Sequence, residues 1–206
     1  MTLPPLIADE RRFLLGLDLG QASDYTALSV IEQRFNQEIK GYTYDLRYLD
    51  RVRGMGYPEI VGKVYKMLQS PKLVGIEPPR LVLDKTGVGA PVADMFRVRE
   101  VRPVEITITG GQNTLVVPRG FHVPKRDLVF SLLTTFQNGQ FKIAQSLPLA
   151  TVLVEELLNF KVKIDPKTAH DSYESWRENV HDDLVLSASL ATWYGKYKYG
   201  RRAKFR

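Results

Sequence analysis

Strand-like runs crowd the front of this chain, and helical periodicity begins only after them. Phe13–Leu19 is an apolar run closed by Gly20, Thr26–Gln33 is β-branched and apolar, and Ile39–Leu49 alternates with tyrosines. Period-two and β-branched runs separated by short turn-like segments predict three strands in an antiparallel meander. The period then changes, because Ile60, Val61, Val64, Tyr65 and Leu68 fall at helical spacing within Tyr57–Leu68. Beyond it, Leu73–Ile76 is a short apolar piece, Leu81–Asp84 and Val101–Thr107 read as strands, and Val88–Phe96 reads as a helix. Thr109–Phe121, with its glycines and Pro118, reads as a loop or loose hairpin. Lys125–Gln137, Leu149–Phe160 and about Asp182–Trp193 complete the helices. Strands first, then alternating helices and strands, predict one α/β domain in which helices flank a mixed β-sheet.

Charge divides the chain unevenly. The net charge is +6, and the segment Lys196–Arg206 (KYKYGRRAKFR) holds six basic residues and no acidic one. The remainder carries 23 basic and 23 acidic residues, so the positive charge is a tail on a neutral body. Cations interleaved with Tyr197, Tyr199 and Phe205 suit a polyanion, and they equally suit a solubilising end of the chain. Residues 1–12 read as a leader, 13–195 as the folded domain and 196–206 as the basic tail. The chain has no cysteine, which excludes disulfides, a thiolate metal site and a cysteine nucleophile. His122, His170 and His181 are too scattered to suggest a histidine metal site. No apolar run is long enough to span a membrane, and Met1–Glu10 lacks the apolar core of a signal peptide. These features predict a soluble, intracellular protein.

Three aspartates stand where a sheet-based site would use them. Asp18 ends a strand in GLDLG, Asp84 ends another in LVLDKTGVG, and Asp183 opens the last helix in HDD (His181, Asp182, Asp183). Ligands of open α/β sheets bind beyond the carboxyl ends of strands. Ser187, Ala188 and Ala191 form a small-residue stripe that lets the last helix press on the sheet and bring Asp183 to the strand aspartates. Packed carboxylates repel unless a cation lies between them. All-oxygen ligation selects Mg²⁺ or Mn²⁺, and two such ions would serve phosphodiester cleavage. Taken singly, Asp18 also suits a turn with Gly20, Asp84 the capping of a turn, and Asp182 the N-cap of a helix with Asp183 at its positive end.

The order GLDLGQASDYTALSVIEQ, LVLDKTGVGAPVADMF, VPKRDLV, ELLNF and HDDLVLSASLATW resembles the nuclease domain of phage large terminases across about residues 13–195. The resemblance implies a ribonuclease H-like fold and metal-dependent cleavage of double-stranded viral DNA during genome packaging. It implies that Asp18, Asp84 and Asp183 are catalytic ligands of two Mg²⁺ or Mn²⁺ ions, with Asp182 and Asp24 as further metal-site acids. The implied mechanism has Asp18 bridging both ions and no protein nucleophile. The cations assigned to DNA are Lys125 and Arg126 at a helix start, Arg119 in the preceding loop, and Lys196, Lys198, Arg201, Arg202 and Lys204 of the tail. No G-x-x-x-x-G-K-[ST] phosphate loop occurs, since Gly62-Lys63 is followed by Val64. The chain therefore reads as a nuclease domain without its ATPase motor. Its expected partners are a separate or removed packaging ATPase, a portal and a small terminase, in the cytoplasm of a bacterial host.

Other readings remain at this level. Another ribonuclease H-like nuclease, such as a Holliday-junction resolvase, would use the same acids. A non-catalytic DNA-binding module would use the tail alone. An actin-like ATPase is disfavoured by the chain's 206 residues and by HDD, which has no place there.

Overall fold

The computed structural model describes residues 10–21, 24–163 and 181–200. Eight strands form one sheet: β1 (Arg11–Asp18), β2 (Tyr25–Asn36), β3 (Gly41–Arg53), β4 (Arg80–Asp84), β5 (Val104–Thr109), β6 (Leu115–Val117), β7 (Gly120–Pro124) and β8 (Phe141–Ile143). Among the described residues five α-helices accompany them: α1 (Tyr57–Leu68), α2 (Gly89–Val98), α3 (Lys125–Gln137), α4 (Ala150–Lys163) and α5 (Asp183–Tyr199). The expected leader falls almost wholly outside the described residues, as do His170, Arg201, Arg202, Lys204 and Phe205.

The strand order is β6-β7-β5-β4-β1-β2-β3-β8. β1–β3 form the expected antiparallel meander, whereas β4 pairs parallel with β1, β5 with β4 and β7 with β5. The expected loose hairpin is real, since β6 and β7 pair antiparallel. The short apolar piece Leu73–Ile76 begins at the end of one 3-10 turn, Pro71–Leu73, and joins no strand. β8, three residues long, has no counterpart among the expected elements; it joins the sheet edge parallel to β3. The last helix, expected to end near Trp193, continues to Tyr199.

Side-chain alternation sorts the core onto two faces. Phe13, Leu15 and Leu17 of β1, with Leu81 and Leu83 of β4, pack under Ile60, Val61 and Val64 of α1 and Val92, Ala93 and Phe96 of α2. Leu14 and Val82, out of phase by one, pack under α3, α4 and α5 through Leu132, Leu153, Leu184 and Leu190. Buried on both faces, β1 and β4 need the unbroken apolar runs that their sequences show.

The same alternation aims the ends of β1 and β4. Residues 14, 16 and 18 share the α5 face, as do 82 and 84, so both terminal aspartates project toward α5. Gly16 lies beneath α5, where a Cβ would stand 1.9 Å from the Ser187 carbonyl oxygen. The Ser187 hydroxyl donates to the Gly16 carbonyl at 2.8 Å, and Ser187, Ala188 and Ala191 are fully buried. The small-residue stripe thus does what its spacing suggested.

Candidate active site

Asp18 and Asp84 are the last residues of adjacent parallel strands at the middle of the sheet, in register one step past the Leu17–Leu83 pair. Each is 7% exposed. Asp84 is anchored from its own loop, because its Oδ1 accepts the Thr86 backbone N–H at 2.8 Å. Gly89 opens α2 directly behind Asp84, where a Cβ would lie 2.1 Å from the Asp84 carbonyl oxygen. The turn after Asp18 is fixed as well: Gly20 N–H donates to Thr26 Oγ1, and Tyr57 Oη donates to the Gly20 carbonyl.

Asp183 arrives from α5. One helical turn from Ser187 back to Asp183 is about 6 Å, close to the two-residue advance of about 6.6 Å from Gly16 to Asp18. The helix runs opposite to β1, with Gly195 over Leu14 and Ser187 over Gly16. Asp183 therefore comes over the end of β1. Its Oδ2 is buried without a hydrogen-bond partner and stands 3.8 Å from His181 Nδ1.

Electrostatics mark these acids as a group. Burial first, then the charges of Asp84, Asp183 and Asp182, raise the Asp18 carboxyl well above the usual carboxylate range. Burial also raises Asp84, although hydrogen bonds from Thr86 and with Asp18 hold it partly down. Asp183 is raised by burial and by Asp182. Asp18 and Asp84 meet directly, while Asp183 stands off. Among the described residues, no three acidic or histidine side chains close on a single point as a finished metal shell. Like-charged carboxylates do not close further without a cation between them. The donor set suits a hard divalent cation nonetheless, being all oxygen, buried and mutually repelling, with one orphaned carboxylate oxygen.

Asp182 behaves otherwise. It occupies the N-cap position of α5 but makes no capping bond, and Lys125 Nζ donates to its Oδ2 at 2.6 Å. The cap comes from α4. Glu156, 5% exposed, accepts the backbone N–H groups of Leu184 and Val185 on Oε2 and Arg51 Nη1 on Oε1 at 2.9 Å. Burial and the nearby Asp183 and Asp182 push the Glu156 carboxyl up to about 7. Sequence reasoning missed this residue, yet a signal existed: Glu156 occupies an apolar-face position among Leu153, Leu157 and Phe160.

The remaining expected site residues scatter. Asp24 is exposed at the bend before β2, outside the buried group. Arg126 donates to Asp127 and to the Gln112 carbonyl. Arg119 precedes β7, two residues before Phe121, which lies in register with Ile106 and Asp84, and it lines a cavity of about 850 Å³ with Arg97 and Arg102. Lys196 and Lys198 ride on α5, about 20 Å along the helix from Asp183. Lys196 is partly buried, with its Nζ donating to Thr134 Oγ1, while Lys198 is exposed. The rings of this segment serve the protein itself: Tyr199 is 3% exposed beneath the Arg12 guanidinium, and Tyr197 stacks on Trp193.

No protein-family model matches the sequence, and comparison with curated proteins finds no match. Solved structures do match, over most of both chains. The large terminase nuclease of thermophilic phage G20c, with magnesium bound, is 17% identical; the match covers 89% of this chain and 81% of that one, with a TM-score of 0.57. The zinc-bound form is 19% identical, with 88% and 80% covered and a TM-score of 0.55. The large terminase nuclease domain of P22 is 13% identical, with 97% and 87% covered and a TM-score of 0.53. At such identities the likeness is one of fold.

Proposed function

We propose, from the ribonuclease H-like fold this chain shares with large terminase nuclease domains, that it is a metal-dependent endonuclease cutting double-stranded viral DNA during genome packaging. The observation that supports the reading is the contact of Asp18 with Asp84 at the ends of β1 and β4, with Asp183 at the start of α5 above them. These acids come from two strands and a helix far apart in sequence; burial raises all three, with Asp84, Asp183 and Asp182 adding to the rise at Asp18 and Asp182 to that at Asp183. A purely structural role would not favour burying three carboxylates at one end of the central strands.

Asp18, which adjoins Asp84 and lies beneath Asp183, would together with those two acids hold Mg²⁺ or Mn²⁺, two ions in this reading. When bound, such ions supply an activated water and stabilise the charge that develops on the cleaved phosphodiester. The chain's own residues set the frame for this. Thr86 fixes the Asp84 rotamer, Glu156 holds the first turn of α5, and Lys125 balances Asp182. In this reading Asp182 and Asp24 shape the field around the site. A packaging ATPase, a portal and a small terminase would bring DNA to it in the bacterial host cytoplasm.

Plasmid cleavage tests the reading. Supercoiled DNA is incubated with the wild type or Asp183→Ala in Mn²⁺, Mg²⁺ or EDTA. Metal-dependent linearisation that the variant lacks is the expected result. Wild-type protein that binds DNA but leaves it intact with either ion would overturn the assignment.

A further inference from the structure

An acidic site that takes a polyanion needs cations beside it that are not already neutralised. The cations on this face are mostly engaged. Lys125 pairs with Asp182, Arg51 with Glu156, and Arg126 with Asp127 and the Gln112 carbonyl. Arg53 differs. It is exposed at the end of β3, and among the described residues no carboxylate pairs with it.

What holds Arg53 is an aromatic ring. Arg53 is the cross-strand partner of Tyr25, and its guanidinium carbon lies 5.5 Å from the Tyr25 ring centroid. The same ring carries Arg51 at 4.5 Å and meets His181 edge-on at 5.1 Å. Tyr25 belongs to the acidic face: Asp18 pairs with Ala27, and residue 25 follows on the same side of β2. The ring therefore stands just beyond the end of β1, between the HDD segment and the β3 edge. A guanidinium seated on a ring keeps its charge and its donors while losing rotamer freedom. That suits a phosphate contact, because less entropy remains to be lost on binding.

We infer that Arg53, seated on Tyr25, binds a phosphate of the DNA strand beside the bond that the carboxylate site cuts. The inference rests on the nuclease reading for the identity of that bond. Arg51 does not share the task, since its guanidinium is already bonded to Glu156 and it serves to fix the ring. Neither Arg53 nor Tyr25 stood among the cations and rings that the sequence suggested for DNA.

Binding of a fluorescently labelled 20-base-pair duplex, followed by anisotropy across a salt series with Ca²⁺ replacing Mg²⁺, tests it on the full chain. Arg53→Gln should bind about tenfold more weakly at moderate salt. The slope of log affinity against log salt should become shallower by about one, the signature of one lost phosphate contact. Arg53→Lys, which keeps the charge, should recover most of the slope. Tyr25→Leu, which keeps Arg53 but removes its seat, should weaken binding about threefold, less than loss of the charge. Lys63→Gln, a cation on α1 across the sheet, should keep the wild-type slope. In plasmid cleavage, Arg53→Gln should raise KM more than it lowers kcat.

Arg53→Gln with wild-type affinity and slope overturns the inference and leaves the nuclease reading standing if the wild type cleaves. Weaker binding by Arg53→Gln with no cleavage by the wild type keeps the phosphate contact and sinks the nuclease reading. A wild type that does not bind the duplex overturns both.

Discussion

Glu156 is a buried carboxylate placed to organise other charges. Its two backbone acceptor bonds satisfy N–H groups that the first turn of α5 leaves without intrahelical partners, and its pairing with Arg51 ties that turn to β3. The arrangement carries a pH dependence. The carboxyl titrates near 4.5 when unfolded and is pushed up to about 7 in the fold, by burial first and then by the neighbouring aspartates. Between those values the folded chain binds more protons than the unfolded one, so stability falls as pH rises through that window. In EDTA, the melting temperature of the wild type should decline between about pH 5 and pH 7. Glu156→Gln should decline less steeply, though Asp18 and Asp84 keep a slope of the same sign. Equal slopes in the two proteins would show that Glu156 does not carry the charge assigned to it. An acid inside an apolar helical stripe is legible in principle, but the stripe alone does not name its partners. Arg51 and the α5 N–H groups come from elsewhere in the chain.

At the scale of elements, α5 decides the site, and its contact with β1 is close because both surfaces are small. Gly16→Ala should place a methyl group against the Ser187 carbonyl, force α5 off the sheet and cost about 3 kcal/mol in denaturant unfolding. A loss below about 0.5 kcal/mol would mean that the seam is looser than described. Most elements were legible from periodicity: the meander, α1, α3 and the strand aspartates fall where the apolar spacing puts them. What escaped had physical reasons. β8 spans only three residues, too few to establish a period, and it exists because β3 offers an edge. The end of α5 was hidden by its lysines, which read as a solvated tail. Tyr199 nevertheless packs under Arg12, and the stem of Lys196 follows the helix inward.

For the molecule as a whole, the sheet gathers acids that the sequence spreads across 165 positions, from Asp18 to Asp183. Their places were readable because each ends a strand or opens a helix. Their neighbours were not, because Arg53 reaches Tyr25 only through the β2–β3 register, and Glu156 reaches α5 only through packing. Arg119, Arg97 and Arg102 line a separate cavity together with Glu105, which pairs with Arg97 and Lys85. The ends of β1 and β4 thus carry the acids, and Arg53 rests on the Tyr25 ring beside them.

Anomalous scattering from crystals of the wild-type chain soaked in Mn²⁺ would test that account most directly. It predicts manganese peaks bounded by the carboxylates of Asp18, Asp84 and Asp183, with Asp18 between them, and their loss in Asp183→Ala. Crystals that take up manganese elsewhere while these three carboxylates stay bare would contradict it.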